Sequence, residues 1–335
     1  MGDSAVHVSR YEKVVYEFIL RMVTPLAHHS ETFGNGAVAM RSKTRMPDGT
    51  FENIPIITGD SLRHHLREAS AYALLSAAGM LDDPRLTEQS LRLLFNGGMI
   101  SGKQDQAVKL DQYRELVKLM PQLSWLGGCA QNRSLEGHCV VENATLICAE
   151  TLHRMPAWVQ ESVGNTVSSS REHIEEVQRV RMDASMSPAK MKLLGDGGAG
   201  VQQRLVASER AKEVGDAGGA EDAKTSMMPR RYEVVVAGSL FFWRVEAETF
   251  NELDLDSFNT SIAAFMANGR VGGKKGTGNG KFEHVEGRKR NPLLPHQLSE
   301  KVDALAFAQN VGSVFFPHVQ ANAKAVRKLL DEVDA

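Results

Sequence analysis

From Val14 to Val23 the chain alternates: Val14, Tyr16, Phe18, Leu20 and Met22 share one face, with Glu17 and Arg21 on the other. A period of two predicts a β-strand with a buried face. Thr24 to Asn53 has no sustained period and carries Gly34, Gly36, Pro47 and Asp48-Gly49, so it reads as a long loop or hairpin, of a length that often carries function. A helix follows: Thr58-Gly-Asp60-Ser61 supplies the start signals, Leu62, Leu66, Ala69 and Ala73 form a stripe, and Gly79 closes it. Residues 82–123 hold further helical pieces divided by Gly97-Gly98 and Pro121. Cys139 to Ala149 predicts a second strand, and Tyr232 to Val245 a third, rich enough in apolar residues to be largely buried. Leu255, Phe258, Ile262, Phe265 and Met266 mark a helix that stops at Gly269. Lys281 to Val285 predicts a short fourth strand, and a last helix runs from about Val319 to Leu330.

Strand, helix, strand, strand, helix, strand is the order of a ferredoxin-like or RRM-like α+β core. The expected layout is a palm-like core from residues 10–80, 130–150 and 232–290, a helical finger-type insertion at 80–130, a thumb-type insertion at 155–230 and a helical tail at 291–335. Within the thumb-type insertion, Gly195 to Gly219 is rich in glycine and poor in aromatics and reads as mobile.

Composition narrows the function classes. The 335 residues can bury a substantial core, as one elaborated domain or two. A formal charge of −2 weighs against an unstructured nucleic-acid coat but not against a local patch, and seven Lys/Arg against two Glu lie between Arg270 and Arg290. Cys129, Cys139 and Cys148 are odd in number and lack Cys-x-x-Cys spacing, which argues against a disulfide framework or zinc site and for reduced thiols in the cytoplasm. The N-terminus is polar and no long apolar run follows, so neither a signal peptide nor a membrane segment is expected.

The charge gathers where the glycines do. Gly269 to Phe282 contains six glycines and four cations in fourteen residues, namely Arg270, Lys274, Lys275 and Lys281 among Gly276, Gly278, Gly280 and three others. Glycine permits close backbone approach and positive φ, and cations attract a polyanion, so the loop is suited to phosphates. A Walker A loop is excluded, because Phe282 follows Gly280-Lys281 and Lys275 stands where the earlier glycine belongs. A dinucleotide fingerprint is excluded too, since the segment follows a helix and its glycines fall at 276, 278 and 280. Arg63 and Arg67 sit one turn apart near a helix N-terminus, where backbone N–H groups and the dipole favour an anion. A solvated basic face is the plain alternative for that pair.

Several segments, in order, resemble the CRISPR-associated RAMP superfamily. Ile54-Pro-Ile-Ile-Thr-Gly-Asp-Ser-Leu-Arg-His-His-Leu-Arg67 resembles its Ile-Pro followed by Ser-Leu-Arg-Gly-x-Leu-Arg. Leu123-Ser-Trp-Leu-Gly-Gly128 resembles its Leu-Phe-Gly element, Gly137 to Ala149 the strand after it, and Gly272 to Gly280 its closing glycine-rich loop. His64, where the family commonly has glycine, and Trp125-Leu126 depart from the pattern. The length, the Gly-Asp-Ser-Leu-Arg-His-His form and the long insertion look most similar to the type IV backbone subunit. The resemblance implies copies of the protein assembling head to tail along a guide RNA (crRNA), with other effector subunits and a complementary target nucleic acid as further partners. By residue match, Ser61, Arg63 and Arg67 would contact phosphates at the first helix, and Lys274, Lys275, Gly276, Gly278 and Gly280 at the closing loop, flanked by Arg270 and Lys281. Met182, Met186 and Met191 in the thumb-type insertion would wedge between bases, with ordinary packing as the competing reading.

Catalysis, a cofactor and a metal are not expected. In type III relatives a target-cleaving aspartate lies in the loop after the first strand, whereas Thr24 to Met46 holds no Asp and one acid, Glu31. His28, His29 and Glu31 leave an RNA-cleaving alternative open. A nucleotide-binding enzyme using the glycine loop is a weaker alternative. His64-His65 are neighbours about 100° apart on a helix and do not suit one metal ion.

Overall fold

The computed structural model describes residues 12–33, 36–82, 86–98, 110–130, 133–164, 167–181, 228–249, 251–292 and 299–332. Five strands carry the core sheet: β1 (Glu12–Met22), β2 (Phe51–Ile57), β3 (Ala144–Leu146), β4 (Leu240–Thr249) and β5 (Phe282–Arg290). Two helices cover it, α1 (Gly59–Ala77) and α2 (Glu252–Asn268). The strand order is β5-β1-β4-β3-β2, antiparallel throughout, with Cys139–Val141 also on β4. Taken as β1-α1-β3-β4-α2-β5, this is the ferredoxin-like arrangement, with β1 in the middle. The fold class is α+β.

Alternation explains the helix-covered face. Tyr16, Phe18, Leu20 and Met22 of β1, with Phe241, Trp243 and Val245 of β4, form one buried cluster with Leu62 and Leu66 of α1 and Phe258, Ile262 and Phe265 of α2. Each fully buried side chain of this kind contributes about 1.5–3 kcal/mol. The opposite face, predicted polar from Glu17 and Arg21, is covered as well. Ile19 packs there with Ile147, Met155, Val159 and Phe242, and Trp158 donates from Nε1 to Glu17 at 3.0 Å. An RRM stacks bases on aromatics of its open sheet face. Here the helix Ala157–Val163 carries Trp158 and Val159 onto that face.

The outer half of α1 enters a second cluster. Leu74 and Leu75 meet Leu93, Leu94, Leu119, Met120, Phe315, Val319, Val326 and Leu330, so the 80–130 segment and the C-terminal helices share one core. Asp256 of α2 anchors the tail by accepting N–H bonds from Gly312, Val314 and Phe315, each at 2.8 Å.

All of these elements belong to one compact unit, made of residues up to 28, 40–174 and 235 onward. A smaller unit comprises 29–39 and 175–234. It holds a four-stranded sheet in which Arg231 and Tyr232 pair in parallel with Gly36 and Ala37. There Ala39 N donates to Glu233 at 2.9 Å and His29 meets the Glu233 carbonyl at 2.9 Å.

Four sequence expectations change in detail. The stretch 24–53, expected as a long loop or hairpin, contains strands His29–Phe33, Gly36–Ala39 and Arg41–Arg45, the last a hairpin partner of β2. The single strand expected over 232–245 is two strands, because Gly238, at φ 86°, turns the chain between Val235 and Leu240. The strand over 139–149 is two short ones, and the last helix is two, Phe315–Ala321 and Ala323–Glu332. Met182, Met186 and Met191 lie outside the described residues, as does the glycine-rich stretch 195–219.

Candidate nucleic-acid interface

Helix α2 ends at Gly269, whose αL backbone (φ 58°) lets its N–H reach the Phe265 carbonyl at 3.0 Å. The chain then makes a loop closed at its base. Val271 N bonds to Gly280 O at 2.9 Å, and Phe282 N to Gly269 O at 2.8 Å. One wall lies against the segment that leaves β1: Gly273 N donates to Ala27 O (2.7 Å), Gly280 N to Pro25 O (2.8 Å) and Lys281 N to Thr24 Oγ1 (2.9 Å).

These contacts divide the glycines into two classes. A Cβ on Gly280, at φ 78°, would stand 1.9 Å from the Val271 carbonyl oxygen, so that position admits no side chain. Gly276 and Gly278 form the tip and have nothing within 4 Å of a Cβ. Their exposed backbone is open to a ligand. Lys274 precedes them at φ 55°, the one non-glycine with positive φ among the described residues. Arg270 is half-buried, with Nη1 3.5 Å from the Asn279 carbonyl, while Lys281 is exposed. Asn279 is 6% exposed, and its side-chain Nδ2 has no hydrogen-bond partner.

The glycine loop and α1 meet. Lys275 Nζ stands 3.3 Å from His65 Nδ1 and 3.8 Å from the Glu68 carboxylate. The contact lies one turn along α1 from Ser61, which is half-buried and whose N–H is capped by Thr58 Oγ1 at 3.4 Å. At the same helix start, Thr58 N donates to His28 Nε2 at 3.1 Å and Gly59 N to Asn143 Oδ1 at 2.7 Å. His28, named above as a candidate base, is thus engaged in holding the helix start.

Arg63 and Arg67 turn to protein carbonyls. Arg63 donates to Cys139 O at 3.0 Å and to Leu126 O, and Arg67 donates to Gly127 O at 2.9 Å and Leu126 O at 3.4 Å. Arg67 is 9% exposed, and burial, with the Arg63 charge added, pushes its pKa down to about 10, which leaves it charged at neutral pH. Gly97, at φ 84°, lies against this guanidinium, and Gly127, whose carbonyl accepts from it, is also at positive φ. The Arg67 fork thus donates to the Leu126 and Gly127 carbonyls, and its guanidinium packs against Gly97. Its partners lie about 60 residues away in sequence, beyond the reach of helix-face reasoning.

The arrangement therefore offers an open glycine tip, cations on its flanks and a helix beside it, the equipment of a phosphate-backbone site. His65, Glu68 and the 24–27 segment are the members that sequence reasoning missed. A buried-face histidine one turn before an acid was the available signal.

No family model and no curated protein matches the chain. Among solved structures, a chain of a "Type IV-B CRISPR Complex" aligns over 85% of this chain and 93% of its own length, at 16% identity and a TM-score of 0.53. At that identity the likeness is one of fold. Among the described residues no helix is long and apolar enough to cross a membrane.

Proposed function

We propose that the protein is a guide-RNA-binding backbone subunit of a multisubunit CRISPR effector complex of the type IV kind, acting as a non-catalytic scaffold in the cytoplasm. The carrying observation is the Lys275 contact, which joins the exposed glycine tip to α1 on one side of the core. The fold likeness to a chain of a Type IV-B CRISPR Complex and the ordered motif resemblance support the same reading. In this reading Lys274, Lys275, Lys281 and the backbone at Gly276 and Gly278 hold RNA phosphates. Ser61 borders them, and Arg63 and Arg67 keep the helix and its neighbours in shape. Phosphate contacts position without specifying, so the grip accepts any spacer sequence. Further copies along the RNA, other effector subunits and a complementary target are the partners.

The test is purification with and without a guide RNA, followed by electron microscopy. A nucleic-acid-bound array of repeated subunits is expected. An RNA-free monomer that forms no assembly when guide RNA is added would overturn the proposal.

A further inference from the structure

The contact between loop and helix is built in a particular way. His65 is 7% exposed and lies parallel to the Phe265 ring, at 6.3 Å between centroids and 12° between planes, so the imidazole has a fixed orientation. Its Nδ1 faces two groups, the Lys275 ammonium at 3.3 Å and the Glu68 carboxylate at 3.5 Å. A protonated imidazole would suit the carboxylate but set two cations side by side in a buried place. A neutral imidazole with its proton on Nε2 presents a lone pair to the ammonium, which has a second hydrogen for Glu68. Burial, then the Lys275 charge, press the imidazole pKa down to about 4 against the pull of Glu68, which favours the neutral form.

The loop needs such a hold. Lys274, just before, sits in the αL region, which disfavours a side-chain-bearing residue by about 1–2 kcal/mol and persists only where the surroundings enforce it. After Lys275 come Gly276, with no neighbour within 4 Å of a Cβ, and Gly278, at φ 88°. Freed from α1, this tip would have a large conformational entropy to lose on meeting a ligand.

Resting on the RNA-backbone reading above, we propose that His65 is a positioning residue: with Glu68 it seats the Lys275 ammonium on α1 and holds the glycine tip in its binding conformation before RNA arrives. His65 touches no phosphate in this arrangement.

Two measurements test it. In RNA-free protein, nitrogen NMR of the histidines should show His65 with an unprotonated Nδ1 and no titration near the ordinary histidine value. Lys275→Met should move its titration upward, toward that value. A His65 protonated on Nδ1, or titrating normally in the wild type, overturns the seat whether or not RNA binds. In the second arm, a homopolymeric single-stranded RNA is the probe. His65→Leu should weaken binding about tenfold with an unchanged salt slope, since no phosphate contact is removed, and His65→Gln, which keeps an acceptor, should restore most of it. Equal affinity for wild type and His65→Leu overturns the positioning role. Failure of the wild type itself to bind RNA overturns the functional reading on which that role rests, with the NMR arm deciding the seat separately.

Discussion

The guanidinium carbon of Arg67 lies 3.0 Å from the point where a side chain on Gly97 would begin. The glycine leaves room for a buried fork, and the fork donates to the Leu126 and Gly127 carbonyls. Gly97→Ala should therefore destabilise by about 1–2 kcal/mol from its αL backbone alone, with crowding of Arg67 in addition. Arg67→Lys keeps the charge and loses the paired donors, for an expected loss of roughly 1.5–3 kcal/mol. Urea midpoints at constant m-value measure both. An unchanged midpoint for Arg67→Lys would show that the clamp contributes nothing.

The two classes of loop glycine should separate experimentally. Gly280→Ala forces a Cβ into the Val271 carbonyl and should distort the loop and lower the thermal midpoint. Gly276→Ala meets open space without a positive φ and should leave stability unchanged or raise it by about 0.4–1 kcal/mol. If RNA lies on the tip, Gly276→Ala still weakens binding. Full affinity in that variant would place the RNA elsewhere.

Salt dependence counts the phosphate contacts. Lys274→Ala and Lys281→Ala should each reduce the slope of log affinity against log salt by about 0.7, the value for one contact on a single strand. Arg67→Lys, assayed where it is folded, should keep the wild-type slope. A slope loss at Arg67 together with none at Lys274 and Lys281 would invert the assignment.

Asp254 gives a pH signature. It accepts bonds from Ser124 at 3.1 Å and Asn251 at 2.9 Å, yet burial raises its carboxyl from 3.8 to about 6. Between those values the folded chain binds more protons than the unfolded one, so stability from this group falls as pH rises through the window. His65 works in the opposite sense, since its lowered value means stability lost as pH falls from 6.5 toward about 4. Comparison with Asp254→Asn isolates the first effect. Wild-type stability relative to that variant should drop by roughly 1–3 kcal/mol between pH 4 and 6.5. A difference that stays flat over this range contradicts the raised carboxyl.

What the sequence displayed was whatever repeats locally. The period of two in β1, the Thr58 cap and the Gly269 stop are short-range devices, and the order of core elements follows from them. The turn at Gly238 was hidden because apolar residues continue on both sides of it. Arg63 and Arg67 looked like surface cations because their partners at Leu126, Gly127 and Cys139 come from other parts of the chain. For the same reason the Lys275–His65 contact could not be read, being 210 residues long in sequence.

The central place of β1 has a consequence for biogenesis. Arg21 pairs with Leu240 and Met22 with Phe282, so the strand at the middle of the sheet is translated long before either neighbour. At roughly 5–20 residues per second, an apolar ribbon waits on the order of ten seconds or more for β4 to emerge from the ribosome. Neighbouring nascent chains on one messenger carry the same ribbon with both edges bare. The protein's yield in a cell should thus depend on what shelters β1 during synthesis, a demand set by topology and independent of how stable the finished molecule is.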